Sequence, residues 1–576
     1  MIRLFDTHHV RKSVELEGCW DFEPMHIGDS LPGRYHFRLP VPGVWEMHPE
    51  FSAYRGLGAF RRQIHTSSRE NLMMTFDGVS HTANVFFDGE PVRHHYNAYT
   101  GFSLVVPEVA AGDHEIVVTV DNRFGADSTL HIANDYYTYG GIIRPVALAR
   151  VPKVFVDGLR FIPSGQGDAW TAEIAVGLKS CVEGGQPFRI EVELAGKRLV
   201  VAEGTVDGSK DTQWYDAEMR FEAIDAWSPA HPRLYELTAH LFLGENPVLS
   251  DDLIDRVGFR TISLEGDQIQ INGEKVVLRG LNRHEDYPGV GAALPFPLMV
   301  QDLELLKDLG ANAVRTSHYP NDQRFLDLCD ENGLLVWEEH HARGLDLNHM
   351  QQPGFREQIT DSTTEMLTQH LNHPAIVIWG VFNECASDTR LGRDLYAEQM
   401  AIIRSFDLSR PLTYATHHRD RDLCFDLADI VSFNLYPLWY GDERPEDLFA
   451  LTRRWADQGG GKGKPIIISE MGADGFYGFR EPRAGQGTEE RQAEILAADI
   501  TAALEQHVAG MFIWQFADCR VSETGSFRFS RAMGQNSKGV VDRYRRPKLA
   551  YEAVRRLYRQ DAGESLNIQS GPRDPS

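Results

Sequence analysis

The chain has 576 residues, too many for one hydrophobic core, and length alone predicts three or four domains. The apolar fraction of 42% and charged fraction of 24% are those of an ordinary globular protein. Net charge is −25, from 83 acidic and 58 basic residues, which argues against nucleic acid or an anionic membrane surface as a partner.

No stretch approaches the roughly 20 apolar residues of a membrane span. Met1 to Trp20 lacks the apolar centre of a signal peptide. Cys19, Cys181, Cys329, Cys385, Cys424 and Cys519 are scattered and form no CxxC pair. Reduced thiols in a cytoplasmic protein are therefore expected, with no disulfide scaffold and no zinc-site spacing.

Up to about Arg260 the pattern is short alternating apolar runs broken by Gly, Asp, Asn and Pro. Asn84 to Gly89 and His114 to Val120 are examples, and both read as strands with turn chemistry between them. Residues 1–152 are read as a jelly-roll β-sandwich. Residues 153–262 are read as an immunoglobulin-like β-sandwich.

After Ile262 strands alternate with helices. Candidate strands are 276–279, 313–316, 334–338, 376–382, 412–416, 430–435, 465–470 and 511–516. Amphipathic stretches such as Leu298–Leu309 and Asp322–Glu331 lie between them. Eight such units predict a (β/α)8 TIM barrel over residues 263–560. Residues 561–576 read as a flexible polar tail. The fold class is thus multidomain β plus α/β.

In such a barrel the active site lies at the C-terminal ends of the strands. Glu384 ends the apolar run Ile376 to Phe382 by way of Asn383, and Glu470 ends the run Ile466 to Ser469. Strands four and seven face each other, so two carboxylates reaching inward from them can flank one sugar. Retaining glycosidases use such a pair about 5–5.5 Å apart, one as acid/base and one as nucleophile. The acid must keep its proton near neutral pH, which burial and the neighbouring anion can arrange. The paired histidines His94-His95, His340-His341 and His417-His418 point to opposite faces and do not suit a shared metal ion, and His340 and His417 are expected to hydrogen-bond to substrate or to its neighbours. Arg283 and Asp286, at the end of the first strand, are expected on the rim. A non-catalytic sugar-binding protein on the same scaffold is the rival class, and the presence of both glutamates speaks against it.

Three runs resemble glycoside hydrolase family 2. Asn312 to Pro320, continuing through Asp330-Glu331-Asn332-Gly333, is similar to its first signature. His373-Pro374 through Asn383-Glu384 is similar to its acid/base signature, and Tyr139 to Val146 to the turn leaving its N-terminal sugar-binding domain. The resemblance covers about residues 10 to 560 and implies retaining hydrolysis, with Glu384 as acid/base and Glu470 as nucleophile. It also implies that His318 lies in the pocket, Asn383 binds the sugar 2-hydroxyl, Tyr436 orients Glu470 and Trp514 meets the substrate.

Within that family, Asn434 to Tyr440, Asp135 ahead of Tyr139-Gly140-Gly141, and Asn536-Ser537-Lys538 resemble β-glucuronidases. That likeness implies a terminal β-glucuronide, with Asn536 and Lys538 on its carboxylate and Asp135 in the sugar pocket. Arg531 is counted with them, although it stands one residue further from the Asn than the pattern has it. Met471 to Gly475, after Glu470, departs from that pattern by lacking an aromatic residue at the second position. β-Galacturonide, β-galactoside and β-mannoside are the alternative substrates. The partner is expected to be a small glycoside or an oligosaccharide end, with no cofactor and no metal. The resemblance favours a homo-oligomer.

Overall fold

The computed structural model describes residues 2–563 apart from 182–184, 207, 209–210, 245–247 and 526–529. The N-terminal sandwich has a six-stranded antiparallel sheet, in the order Phe37–Val41, Gly18–Met25, Leu57–Thr66, Gly112–Asp121, Thr82–Phe87, Glu90–Tyr96. A four-stranded sheet packs against it, and Trp20, Phe22, Trp45, Met74 and Phe76 fill the space between. The second sandwich pairs a three-stranded with a four-stranded sheet. Its strand Ala169–Ser180 buries alternate residues over most of its length, because successive side chains of a strand point to opposite faces.

A small three-stranded sheet of 262–265, 268–271 and 274–276 leads into a closed barrel of eight strands. In order these are Leu278–Asn282, Ala313–Arg315, Leu335–Glu339, Ile376–Asn383, Leu412–Thr416, Val431–Asn434, Ile466–Met471 and Gly510–Ile513. All eight fall on or beside the segments expected from the sequence. Strands three to eight are buried at every residue, as parallel strands covered by helices must be. The helices carry their own stop and start signals. Asp322 caps Gln323–Asn332 by accepting from the Arg324 N–H, and Gly333 ends that helix at φ 69°.

The last helix, Leu549–Asp561, runs one residue into the segment expected to be tail, and the rest of that segment from 564 onward lies outside the described residues. No helix among the described residues is long and apolar enough to cross a membrane.

The segment after Asp121 leaves the first sandwich and lies over the barrel mouth. Tyr139 Oη donates to Asp286 at 2.7 Å, Arg144 pairs with Glu285 at 2.8 Å, and Tyr99 stacks on Tyr319 with ring centres 3.8 Å apart. These contacts bring Asp135 to the barrel.

Candidate active site

Glu384 directly follows strand four and sits at φ +51°, a left-handed conformation that a non-glycine residue adopts at a cost of roughly 1–3 kcal/mol. Its N–H is held by the Ala415 carbonyl of strand five at 2.9 Å. Glu470 stands near the end of strand seven. Both glutamates line one cavity of about 440 Å³, together with Asp135, Arg343, His417, Asn434, Tyr436 and others.

Glu470 is gripped from two sides. Tyr436 Oη donates to one carboxylate oxygen at 2.6 Å and Arg315 to the other at 3.0 Å. Arg315 is fully buried and is the hub of the floor: it also pairs with Glu339 at 2.7 Å and donates to Asn282 at 2.9 Å and Asn383 at 2.8 Å. A carboxylate held by donors on both oxygens is fixed in direction, as a nucleophile must be. Glu384 is held less firmly. Asn434 Nδ2 donates to it at 3.0 Å, while Arg343 and His417 approach at 3.8 and 3.6 Å.

The two carboxyls are shifted in the direction opposite to the expectation that the acid keeps its proton. Burial raises the Glu470 carboxyl and Glu384 repels its charge, so that it reaches about 7 despite Arg315. Burial also raises Glu384, but His417, Arg343 and Asn434 outweigh it and bring it down to about 2. At 3.6 Å the His417 contact is too long for an ordinary hydrogen bond, and the imidazole is 47% exposed. This contact is an ion pair that an incoming group can replace. The same ion pair raises His417 above the usual imidazole range.

Of the residues expected in the site, Asp135, Tyr436, Trp514 and Arg531 line the cavity with the two glutamates. Asn383, His318, Asn536 and Lys538 are buried and are not among the residues that line it. Asn383 Nδ2 is buried and has no partner, so its amide is the one donor of that side chain left for a ligand. The His318 ring stacks on Trp514 with centres 4.9 Å apart, and its Nδ1 meets Glu339 at 2.9 Å. Burial, with Arg315 nearby, drives His318 well below the usual range, so it is neutral.

Lys538 is buried, 3.1 Å from Asp474, with its ammonium over the rings of Trp439 and Tyr440. Arg531 bridges Asp135 at 2.5 Å and Asp474 at 3.4 Å, and Asn536 donates to Asp135 at 2.9 Å. Two cations and two anions therefore form one balanced cluster at the end of the cavity.

Two expectations fail. Arg283 is not on the rim: it is wholly buried against Asp302 at 3.0 Å, because its guanidinium lies over the Phe325 ring beneath the mouth. Neither ring nitrogen of His340 has a hydrogen-bond partner, since the ring packs edge-on against Phe382. Sequence reasoning also missed residues. Arg343 lines the cavity and donates to Asn134 Oδ1 across 209 positions of chain. Its one signal was position, four residues beyond the end of strand three. Cys385, beside Glu384, is buried with its thiol pushed up to about 12, so it stays protonated. Among the described residues the one cluster that could hold a metal is Asp327, Asp330 and His373. It is buried and does not line this cavity, and Arg3 pairs with Asp327 there at 2.6 Å.

Comparison with known proteins gives one answer in every domain. Residues 262–561 match the profile of the TIM barrel domain of glycosyl hydrolases family 2, residues 38–152 its sugar binding domain, and residues 154–260 the profile described as glycosyl hydrolases family 2. The chain is 32% identical to β-glucuronidase of Felis catus over 440 residues, 75% of this chain and 66% of the cat protein. It is 32% identical to the Homo sapiens β-glucuronidase over 452 residues, again 75% and 66%. The match thus spans just under two thirds of those relatives' length.

Among solved structures, a β-galacturonidase from Eisenbergiella tayi bound to galacturonate superposes with a TM-score of 0.92 at 43% identity, covering 97% of this chain and 99% of that one. A β-D-glucuronidase from Dictyoglomus thermophilum superposes with a TM-score of 0.81 at 25% identity, covering 95% and 97%. With a matching profile over each of its three folded parts and paired glutamates at the barrel mouth, the chain belongs to glycosyl hydrolases family 2.

Proposed function

We propose that the protein is a retaining exo-β-glycosidase that removes a terminal β-linked uronic acid. The observation that carries this reading is one cavity that Glu384 and Glu470 share with Arg531, a cation fixed by Asp135 and Asp474 with Lys538 beside it. Glu470 attacks the anomeric carbon while Glu384 protonates the leaving oxygen. Glu384 then takes a proton from water, and that water releases the sugar from Glu470. Tyr436 and Arg315 hold Glu470 in line, and the Asn383 amide N–H donates to the 2-hydroxyl oxygen.

The proton must reach Glu384 before the first step. A leaving group that enters beside Glu384 displaces His417, and burial then raises the Glu384 carboxyl unopposed by that charge. His417→Ala removes the same charge permanently. Both apparent pKa values of the coupled pair can then only rise, since an opposite charge has been taken from two carboxyls. The bell of kcat/KM against pH is expected to move to higher pH. A bell that stays in place or moves down would contradict this role for His417.

Arg531, on the cavity wall, and Lys538 beside it serve the C6 carboxylate. β-Glucuronide is the first reading, from the Asn-x-Lys and Asn-x-Tyr-x-x-Trp-Tyr runs. β-Galacturonide is the second, favoured by the 43% identity to the galacturonidase structure over nearly the whole chain. The two sugars differ only at C4. Nitrophenyl β-glucuronide, β-galacturonide, β-glucoside and β-galactoside, compared by kcat/KM, test both readings. We expect each uronide to exceed its neutral counterpart at least about tenfold, the worth of one charge-assisted contact. Preference for a neutral sugar would overturn the uronide reading.

A further inference from the structure

The cavity that holds both glutamates is also lined by His417, Arg419 and Glu443, and His417, two residues before Arg419, stands 3.6 Å from Glu384. Whatever leaves with the glycosidic oxygen must lie there, because Glu384 protonates that oxygen. Resting on the retaining mechanism above, we propose that Arg419 and Glu443 are a recognition fork for a hydroxylated sugar as leaving group. The physiological substrate is then a uronosyl saccharide rather than a conjugate of a flat apolar alcohol.

The geometry of the pair supports this. Both terminal nitrogens of Arg419 donate to Glu443, one to each carboxylate oxygen, at 2.9 and 2.9 Å. The side chains remain 39% and 46% exposed, so the fork is wet and reachable. It is also held in place. The guanidinium lies 5.7 Å from the Trp455 ring centre, and the Glu443 carbonyl accepts from the Leu438 N–H at 3.2 Å.

A bidentate pair leaves a second N–H on each terminal nitrogen and a free lone pair on each oxygen. A vicinal diol can accept from the first and donate to the second, so the pair keeps its partners when water leaves. A flat hydrocarbon face offers neither, and covering the pair with it costs the hydration of two charges without replacement. The aromatic rings that line the cavity are engaged elsewhere: Tyr436 donates to Glu470, Trp514 stacks on His318, and Tyr440 lies over Lys538. They offer no apolar slot.

The test compares a uronosyl disaccharide with the matching nitrophenyl uronide in wild type, Arg419→Gln, Glu443→Gln and Arg419→Lys. Each variant should lower the ratio of kcat/KM, disaccharide over nitrophenyl, at least about tenfold, the size of one or two charge-assisted contacts. Arg419→Lys should behave like Arg419→Gln, because a lysine keeps the charge but not the planar fork. Ratios within about twofold of wild type would overturn the proposal, as would a lysine variant that keeps the ratio. If wild type instead prefers neutral glycosides, the uronide reading fails by itself, and the same ratio measured on the neutral pair still decides the fork.

Discussion

Glu470→Ala is expected to lower kcat by at least about 10⁴-fold on any substrate, because no other group can form the covalent bond. Added azide should restore part of the activity by entering the vacated face, and the product should be the sugar azide of inverted configuration. Glu384→Ala should behave differently. A dinitrophenolate leaves without help, so its first step should be nearly spared, whereas an alkyl glycoside should lose about 10²–10⁴-fold, the range of general acid catalysis. Azide should then give a product of retained configuration. The product stereochemistry is the decisive reading, since a misfolded variant gives no azide adduct of either hand. Equal losses of Glu384→Ala on both leaving groups would remove the acid/base assignment.

The second large effect concerns the charge cluster. Lys538→Ala should lower kcat/KM on a uronide by roughly tenfold, the lower end of about 1.5–3 kcal/mol for a charge-assisted contact, because Asp474 then draws on Arg531 alone, the cation that faces the cavity. Asp474 keeps Arg531 at 3.4 Å, so the substitution does not strand a lone buried anion there. A neutral glucoside should be unchanged or slightly improved, and the ratio of the two substrates is therefore the quantity to measure. Equal losses on both would mean that Lys538 only supports the wall. Arg531→Gln should lower the same ratio and should also loosen Asp135, which Arg531 holds at 2.5 Å. Its effect on the neutral sugar should accordingly exceed that of Lys538→Ala.

Much of the barrel was legible because its strands are apolar runs that end abruptly in polar residues. Glu384 and Glu470 stand at such ends, so period and position together pointed to them. Tyr436 and Asp135 were reached through longer motifs. What escaped has a physical reason. Arg343 follows strand three on a segment with no periodicity, and its partner Asn134 lies in another domain. Nor can a sequence say which of two nearby cations faces the cavity. Arg531 does and Lys538 is covered, because Asp474 and the aromatic rings of Trp439 and Tyr440 close over the ammonium. The direction of the Glu384 pKa was equally out of reach, since it depends on His417 and Arg343 arriving from two further strand ends.

Asp135 belongs to the N-terminal domain, not to the barrel, and is held at the site by contacts with the barrel loops, among them those of Tyr139, Arg144 and Tyr99 and the Arg343–Asn134 hydrogen bond. Turnover therefore reports on assembly. A barrel whose sandwich has undocked keeps both glutamates yet loses one wall of the sugar pocket, and with it one of the two carboxylates that hold Arg531. Mild heating that frees this one docked segment should abolish activity while the helical circular dichroism of the barrel is still intact. For the same reason a graft of the barrel onto a foreign N-terminal sandwich should fold and remain inert until the Asp135 segment is carried with it.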